Sequence, residues 1–155
     1  MFVEYRYAIL NYPCAVEELD ALCRDADVFE LGSGKWGGFA QQVLKARARS
    51  YLGVDLCAPI THPRDARFVK EDARAVLERL PDDSSVSISS GFFDERVVRD
   101  LDSIIAQTAR VAPEGLHWLA PDDPTLSRRF ALAGLALDEI APSVYRTRRI
   151  GTQRI

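Results

Sequence analysis

This sequence predicts an α/β fold: a doubly wound, mostly parallel sheet of about seven strands, with helices on both faces and a terminal antiparallel hairpin. Three observations carry that prediction. A short apolar run, Val28-Phe29-Glu30-Leu31, ends in a glycine-rich turn, Gly32-Ser33-Gly34-Lys35-Trp36-Gly37-Gly38, and a helical pattern follows. Further short apolar runs then alternate with helical periodicity along the chain. Two last runs flank Pro142-Ser143 with no helix between them, as hairpin strands do.

The elements follow in order. Residues 2–12 alternate weakly and are aromatic, which suits an edge strand or a segment lying over a pocket mouth. From Ala15 to Cys23, Val16, Leu19, Leu22 and Cys23 share one helical face. After the first strand and its turn, Phe39 to Ala48 has helical spacing. Tyr51 to Cys57 is the second strand, Arg67 to Lys70 a shorter third, and Ala73 to Leu80 a helix with Val76, Leu77 and Leu80 inward. Pro81-Asp82-Asp83-Ser84 is turn chemistry. Ser85 to Ser90 alternates as a fourth strand. Asp94 then stands as an N-cap before a long helix through Leu101, Ile104, Ile105 and Ala109. Leu116 to Ala120 is the fifth strand, and Leu126 to Leu135 a helix that Gly134 brings to its end. Leu137 to Ala141 and Val144 to Ile150 form the hairpin.

Composition narrows the function classes. At 155 residues the chain suits a single domain over residues 1–155, with residues 1–13 as an N-terminal segment over the pocket or the sheet edge. The 47% hydrophobic content is enough for a core. A net charge of −3 supplies no basic field for nucleic acid, so a nucleic-acid substrate is not favoured. Cys14, Cys23 and Cys57 are odd in number and at no metal spacing, so no metal site and no disulfide framework is expected, and a reducing, cytoplasmic setting is. No apolar run reaches the ~20 residues that span a bilayer. The opening residues carry an early acid and are not expected to be a signal peptide.

The glycine turn concentrates the chemistry. Glycines let the chain turn sharply and let a ligand reach the main chain without meeting a β-carbon. The helix beyond presents unpaired N–H groups. Asp55 ends the second strand, where a carboxylate can accept from both hydroxyls of a ribose. Asp72 follows the third strand as a ligand acid or as an N-cap for the next helix.

This order resembles the class I S-adenosylmethionine-dependent methyltransferases over roughly residues 14–150, strongest at Glu30-Leu31-Gly32-Ser33-Gly34, Gly53-Val54-Asp55-Leu56 and Phe68-Val69-Lys70-Glu71-Asp72-Ala73. The resemblance implies a Rossmann-like fold, S-adenosylmethionine as cofactor and S-adenosylhomocysteine as product. It implies that Glu30, with Gly32, Ser33 and Gly34, positions the methionine part. Asp55 would hold the ribose and Leu56 cover the adenine. Asp72 and Ala73 would meet the adenine edge, and Ser90, with Gly91, would stand near the sulfonium. No residue is assigned as a catalytic base.

Two other readings stay open. A methyltransferase scaffold that has lost catalysis could sense the cofactor or bind a partner. The spacing Gly32, Gly34, Gly37 is also a dinucleotide fingerprint and suits an NAD-binding domain, against which stand Glu30, the hairpin and the lack of a Tyr-x-x-x-Lys pair. An active protein would take a small acceptor, or one presented by a protein partner or a second subunit. Trp36 packs over the ligand or against the N-terminal segment, and Lys35 is expected to be exposed. Phe92 and Phe93 read as core, and His117 as a packed histidine. Arg146, Arg148 and Arg149 read as a solvated edge face.

Overall fold

The computed structural model describes residues 8–151. Seven strands form one sheet: β1 (Asp27–Leu31), β2 (Ser50–Asp55), β3 (Arg67–Lys70), β4 (Val86–Ser90), β5 (Gly115–Trp118), β6 (Leu135–Ala141) and β7 (Val144–Arg149). Their order is β3-β2-β1-β4-β5-β7-β6. The first five are parallel, and β7 runs antiparallel to both β5 and β6. The expected fold class is therefore present, and the chain reverses its winding between β1 and β4.

Five helices cover the sheet: α1 (Pro13–Cys23), α2 (Ala40–Lys45), α3 (Ala73–Arg79), α4 (Leu101–Val111) and α5 (Leu126–Leu132). The period-2 alternation of a strand sorts its side chains between two cores. Val28 joins Leu19, Val43, Ile88 and Val144 under α1 and α2. Phe29 and Leu31 join Leu77, Ile104, Ile105 and Phe130 under α3, α4 and α5. Both faces of β1 are thus dry, which explains why its apolar residues fall on both parities. Glu30 shares the parity of Val28, so its carboxylate is delivered into the α1/α2 side. That placement governs the site.

Several sequence expectations shift. Ala8–Asn11 is a 3-10 turn with Ile9 buried, not strand; residues 2–7 lie outside the described residues. Asp94 does start a helical turn: its carbonyl accepts from Val97 and Val98 N–H and its carboxylate from Arg96 N–H. The turn stops, and α4 begins only at Leu101, because Asp100 sits at a left-handed φ of 54°. The helix expected over Leu126 to Leu135 ends at Leu132, because Gly134 (φ 85°) reverses the chain and Leu135 already pairs with Arg149. β7 lies inside the sheet, not at its edge. Arg146 is nearly buried against Glu18 and Glu114, Arg148 pairs with Asp138 and Arg149 with Asp83. Among the described residues no helix is long and apolar enough to cross a membrane.

Candidate functional site

The carboxyl ends of β1, β2, β3 and β4 carry the candidate residues. Gly32 and Gly34 both have φ of 71°, which side chains other than glycine resist. The turn is bound to β2: the Gly32 and Ser33 N–H groups donate to the Val54 carbonyl at 2.8 and 3.2 Å. The Gly34 N–H donates to Asp55 Oδ2 at 2.8 Å, and Cys57 N–H to Asp55 Oδ1 at 2.9 Å. Each Asp55 oxygen then keeps accepting capacity for a further donor. Leu56 is 68% exposed beside it. Asp72 is exposed and caps α3, its Oδ1 accepting from Arg74 N–H at 2.8 Å. Ala73 is buried beneath it, and Ser33 is buried in the turn. Ser90 ends β4, and Gly91 N–H donates to the Trp118 carbonyl.

Glu30 stands apart from these. It is 2% exposed. Its Oε1 accepts from the Phe39 N–H at 2.7 Å and the Tyr51 hydroxyl at 2.6 Å. Phe39 is the N-cap of α2, so the carboxylate fills the place of a missing cap side chain at a helix start that favours negative charge. Glycines on both sides make the room. A β-carbon on Gly38 would lie 2.3 Å from Glu30 Oε1, and one on Gly53, the register partner of Glu30, 2.8 Å from the Tyr51 hydroxyl. Tyr51 reaches Glu30 across that bare position.

The β2–β3 loop folds back on the turn. Ile60 N–H donates to the Lys35 carbonyl at 2.7 Å, and the Thr61 carbonyl oxygen comes within 2.9 Å of a β-carbon position on Gly37. Lys35 is exposed. An open groove of about 560 Å³ runs past Leu10, Trp36, Gln41, Gln42 and His62. A second, of about 350 Å³, lies at the opposite end of the sheet beside Asp25, Arg49 and Asp83. Glu30, Asp55 and Asp72 line neither. Among the described residues no group of three or more His, Cys, Asp or Glu could hold a metal.

His117 is fully buried within β5. Ser87 gives its hydroxyl proton to the Ala112 carbonyl, so it accepts from His117 Nε2 at 3.3 Å, while Ser89 donates to Nδ1 at 2.7 Å. Burial, helped by the Arg146 guanidinium, pushes the imidazole pKa down to about 3. It is a neutral packing residue, as its place beside Trp118 suggested.

No family model matches the chain, and no curated protein matches it by sequence. Solved structures do match in shape. One is a candidate RNA methyltransferase from Pyrococcus horikoshii, with a TM-score of 0.64 and 12% identity over 97% of each chain. The class I methyltransferase fold is the fold of this chain. Another is an arsenic(III) S-adenosylmethionine methyltransferase from Chlamydomonas reinhardtii, with a TM-score of 0.57 and 15% identity, covering 97% of this chain and 75% of that one. A third, from Haloferax volcanii, is a candidate methyltransferase in complex with the Trm112 methyltransferase activator, with a TM-score of 0.57 and 16% identity over 89% and 76%.

Within this methyltransferase fold the sequence left three participants unseen. Tyr51 showed only as a strand residue, although Gly53 beside it marked a place where something bulky crosses. Gly38 was visible only as part of a glycine cluster. The pattern assigns Phe92 and Phe93 alike to the core, and Phe93 fills that role at 1% exposure. Phe92 packs part-buried against the same core and also lies against Gly32.

Proposed function

We propose that this protein binds S-adenosylmethionine and acts as a methyltransferase on a small or partner-presented acceptor. The observation that carries this reading is the meeting of Asp55 with the Gly32–Gly34 turn at the carboxyl edge of the sheet, beside the point where its winding reverses. The cofactor would bring an electrophilic methyl group on sulfonium. Asp55 would accept from the ribose hydroxyls, exposed Leu56 would cover one adenine face, and Asp72 with Ala73 would meet its edge. Gly32, Ser33 and Gly34 would line the methionine part with main chain. Ser90 would stand beside the sulfonium. Glu30 would act through the turn, by holding the start of α2. Catalysis would rest on approach geometry and excluded water.

Trp36, Leu56 and Ile60 are each more than half exposed on the turn and the β2–β3 loop. A large apolar trio on the edge that carries the site favours a protein partner or a second copy completing it, as an activator accompanies the Haloferax relative. Titration calorimetry with S-adenosylhomocysteine tests the reading: binding in the micromolar range supports it, and no heat at millimolar ligand rejects it.

One observation favours the scaffold reading. The Phe92 ring covers Gly32 at the crevice between β1 and β4. A protein that binds no cofactor but retains this closed edge would serve as a partner-binding subunit. The dinucleotide spacing has a different explanation: Gly37 is glycine because Thr61 packs on it at a φ of 79°.

A further inference from the structure

Open parallel sheets admit ligands at the crevice where the winding reverses, outside the carboxyl ends of the strands. In this sheet that crevice lies between β1 and β4. Its walls are Gly32, the residue after β1, and Gly91-Phe92, the residues after β4. Gly32 has no β-carbon and a φ of 71°. Phe92 Cδ2 lies 2.9 Å from where a β-carbon on Gly32 would be, with Cβ and Cγ of the same residue at 3.5 and 3.6 Å. The ring takes the approach that the glycine leaves open.

The two adjacent phenylalanines are not equivalent. Phe93 is locked: its ring meets His117 and Phe130 edge-on, each at 5.1 Å between centroids. Phe92 meets only Phe93 ring to ring, at 5.5 Å between centroids, and sits part-buried at the margin of the α3/α4/α5 core. The backbone around it is held, with Gly91 N–H on the Trp118 carbonyl and Asp94 N–H on the Phe92 carbonyl. Asp94 is itself fixed by the Arg96 guanidinium. With the backbone tied down, any opening of this crevice at Phe92 has to come from a turn of its side chain.

We propose that Phe92 is a plug of the cofactor crevice, whose ring must rotate off Gly32 before the amino-acid tail of an adenosyl cofactor can reach the turn. This rests on the cofactor reading above. Phe92 then sets apparent affinity, because a ligand that needs a minor open state binds more weakly by the fraction open. It also discriminates along the ligand. Adenosine, held at the β2 and β3 tips by Asp55 and Asp72, stops short of the plug. S-adenosylhomocysteine does not.

Calorimetry on the wild type and on Phe92→Ala and Phe92→Leu, each shown folded by thermal melting, tests this with S-adenosylhomocysteine and adenosine as probes. The expected result is about tenfold or more tighter S-adenosylhomocysteine binding in Phe92→Ala, an intermediate gain in Phe92→Leu, and no change for adenosine. In the wild type, a nuclear Overhauser contact between the Phe92 ring and the Gly32 α-protons should vanish at saturating S-adenosylhomocysteine. If wild type and variants bind it equally, or the variants bind more weakly, or the contact persists at saturation, the plug is wrong while the cofactor reading stands. If neither wild type nor variants bind it at millimolar concentration, both fall together.

Discussion

Asp55 accepts the Gly34 N–H at 2.8 Å, which makes the tip of β2 and the glycine turn after β1 a single mechanical unit. A carboxylate placed to hold a ribose is at the same time the anchor of the loop that would line the rest of the ligand. Asp55→Ala should therefore weaken S-adenosylhomocysteine binding by roughly 1–3 kcal/mol, the cost of leaving polar partners unmatched. Calorimetry checks it, and an unchanged affinity would remove Asp55 from the site.

The buried Glu30 carboxylate depends on the Tyr51 hydroxyl in the same way. Tyr51→Phe takes one donor from a buried carboxyl group and should destabilise the fold by about 1–3 kcal/mol. Gly53→Ala should act in the same direction by a different route, because its β-carbon would lie 2.7 Å from the Phe68 ring and 2.8 Å from the Tyr51 hydroxyl. Urea unfolding measures both. Full stability in Tyr51→Phe would show that this hydrogen bond adds nothing to the folded state.

The fold was readable because its signals are local. Val28, Phe29 and Leu31 are apolar on both parities, the mark of a strand covered on both faces, and the hairpin has its own turn residues. The strand-tip positions of Asp55 and Asp72 followed from strand ends alone. What the sequence could not display is contact across elements. Nothing near Glu30 in the chain says that Tyr51 and Phe39 converge on it, since that depends on the β1–β2 register and on the bare Gly53. Phe92 and Phe93 have identical side chains and adjacent positions. Only the parity of the chain leaving β4 buries Phe93 in the α4/α5 core and leaves Phe92 at its margin, against Gly32. The break at Asp100 was hidden because the helical pattern resumes in phase after it.

Asp72 serves two candidate purposes that one pair of variants separates. As the N-cap of α3 it accepts the Arg74 N–H. Asp72→Ala should cost about 1 kcal/mol of stability, and Asp72→Ser should restore most of it, since serine caps nearly as well. Serine has a shorter reach and no charge for the adenine edge. A ligand role for Asp72 therefore predicts that Asp72→Ser keeps the melting temperature but loses S-adenosylhomocysteine affinity. Recovery of both in the serine variant would leave Asp72 as a cap alone.

His117 gives the fold a defined sensitivity to acid. Its pKa is held down to about 3 in the folded chain by burial, with Arg146 adding to the shift, while an unfolded histidine titrates near 6.5. Above about pH 6.5 both states carry the neutral ring and its contribution is complete. Below that, the unfolded chain binds a proton that the folded one refuses. Stability is thus lost as pH falls from about 6.5 toward 3, by about 2 kcal/mol at pH 5 from this residue. The hydrogen bonding agrees in sign: Nδ1 accepts from Ser89, and protonation would turn that acceptor into a donor. Urea unfolding at pH 7.5 and pH 5 should show this loss in the wild type. In His117→Gln the loss between the two pH values should shrink by about the same 2 kcal/mol, whatever the variant's absolute stability, and an unchanged pH slope would mean that the ring is charged or accessible in the folded protein.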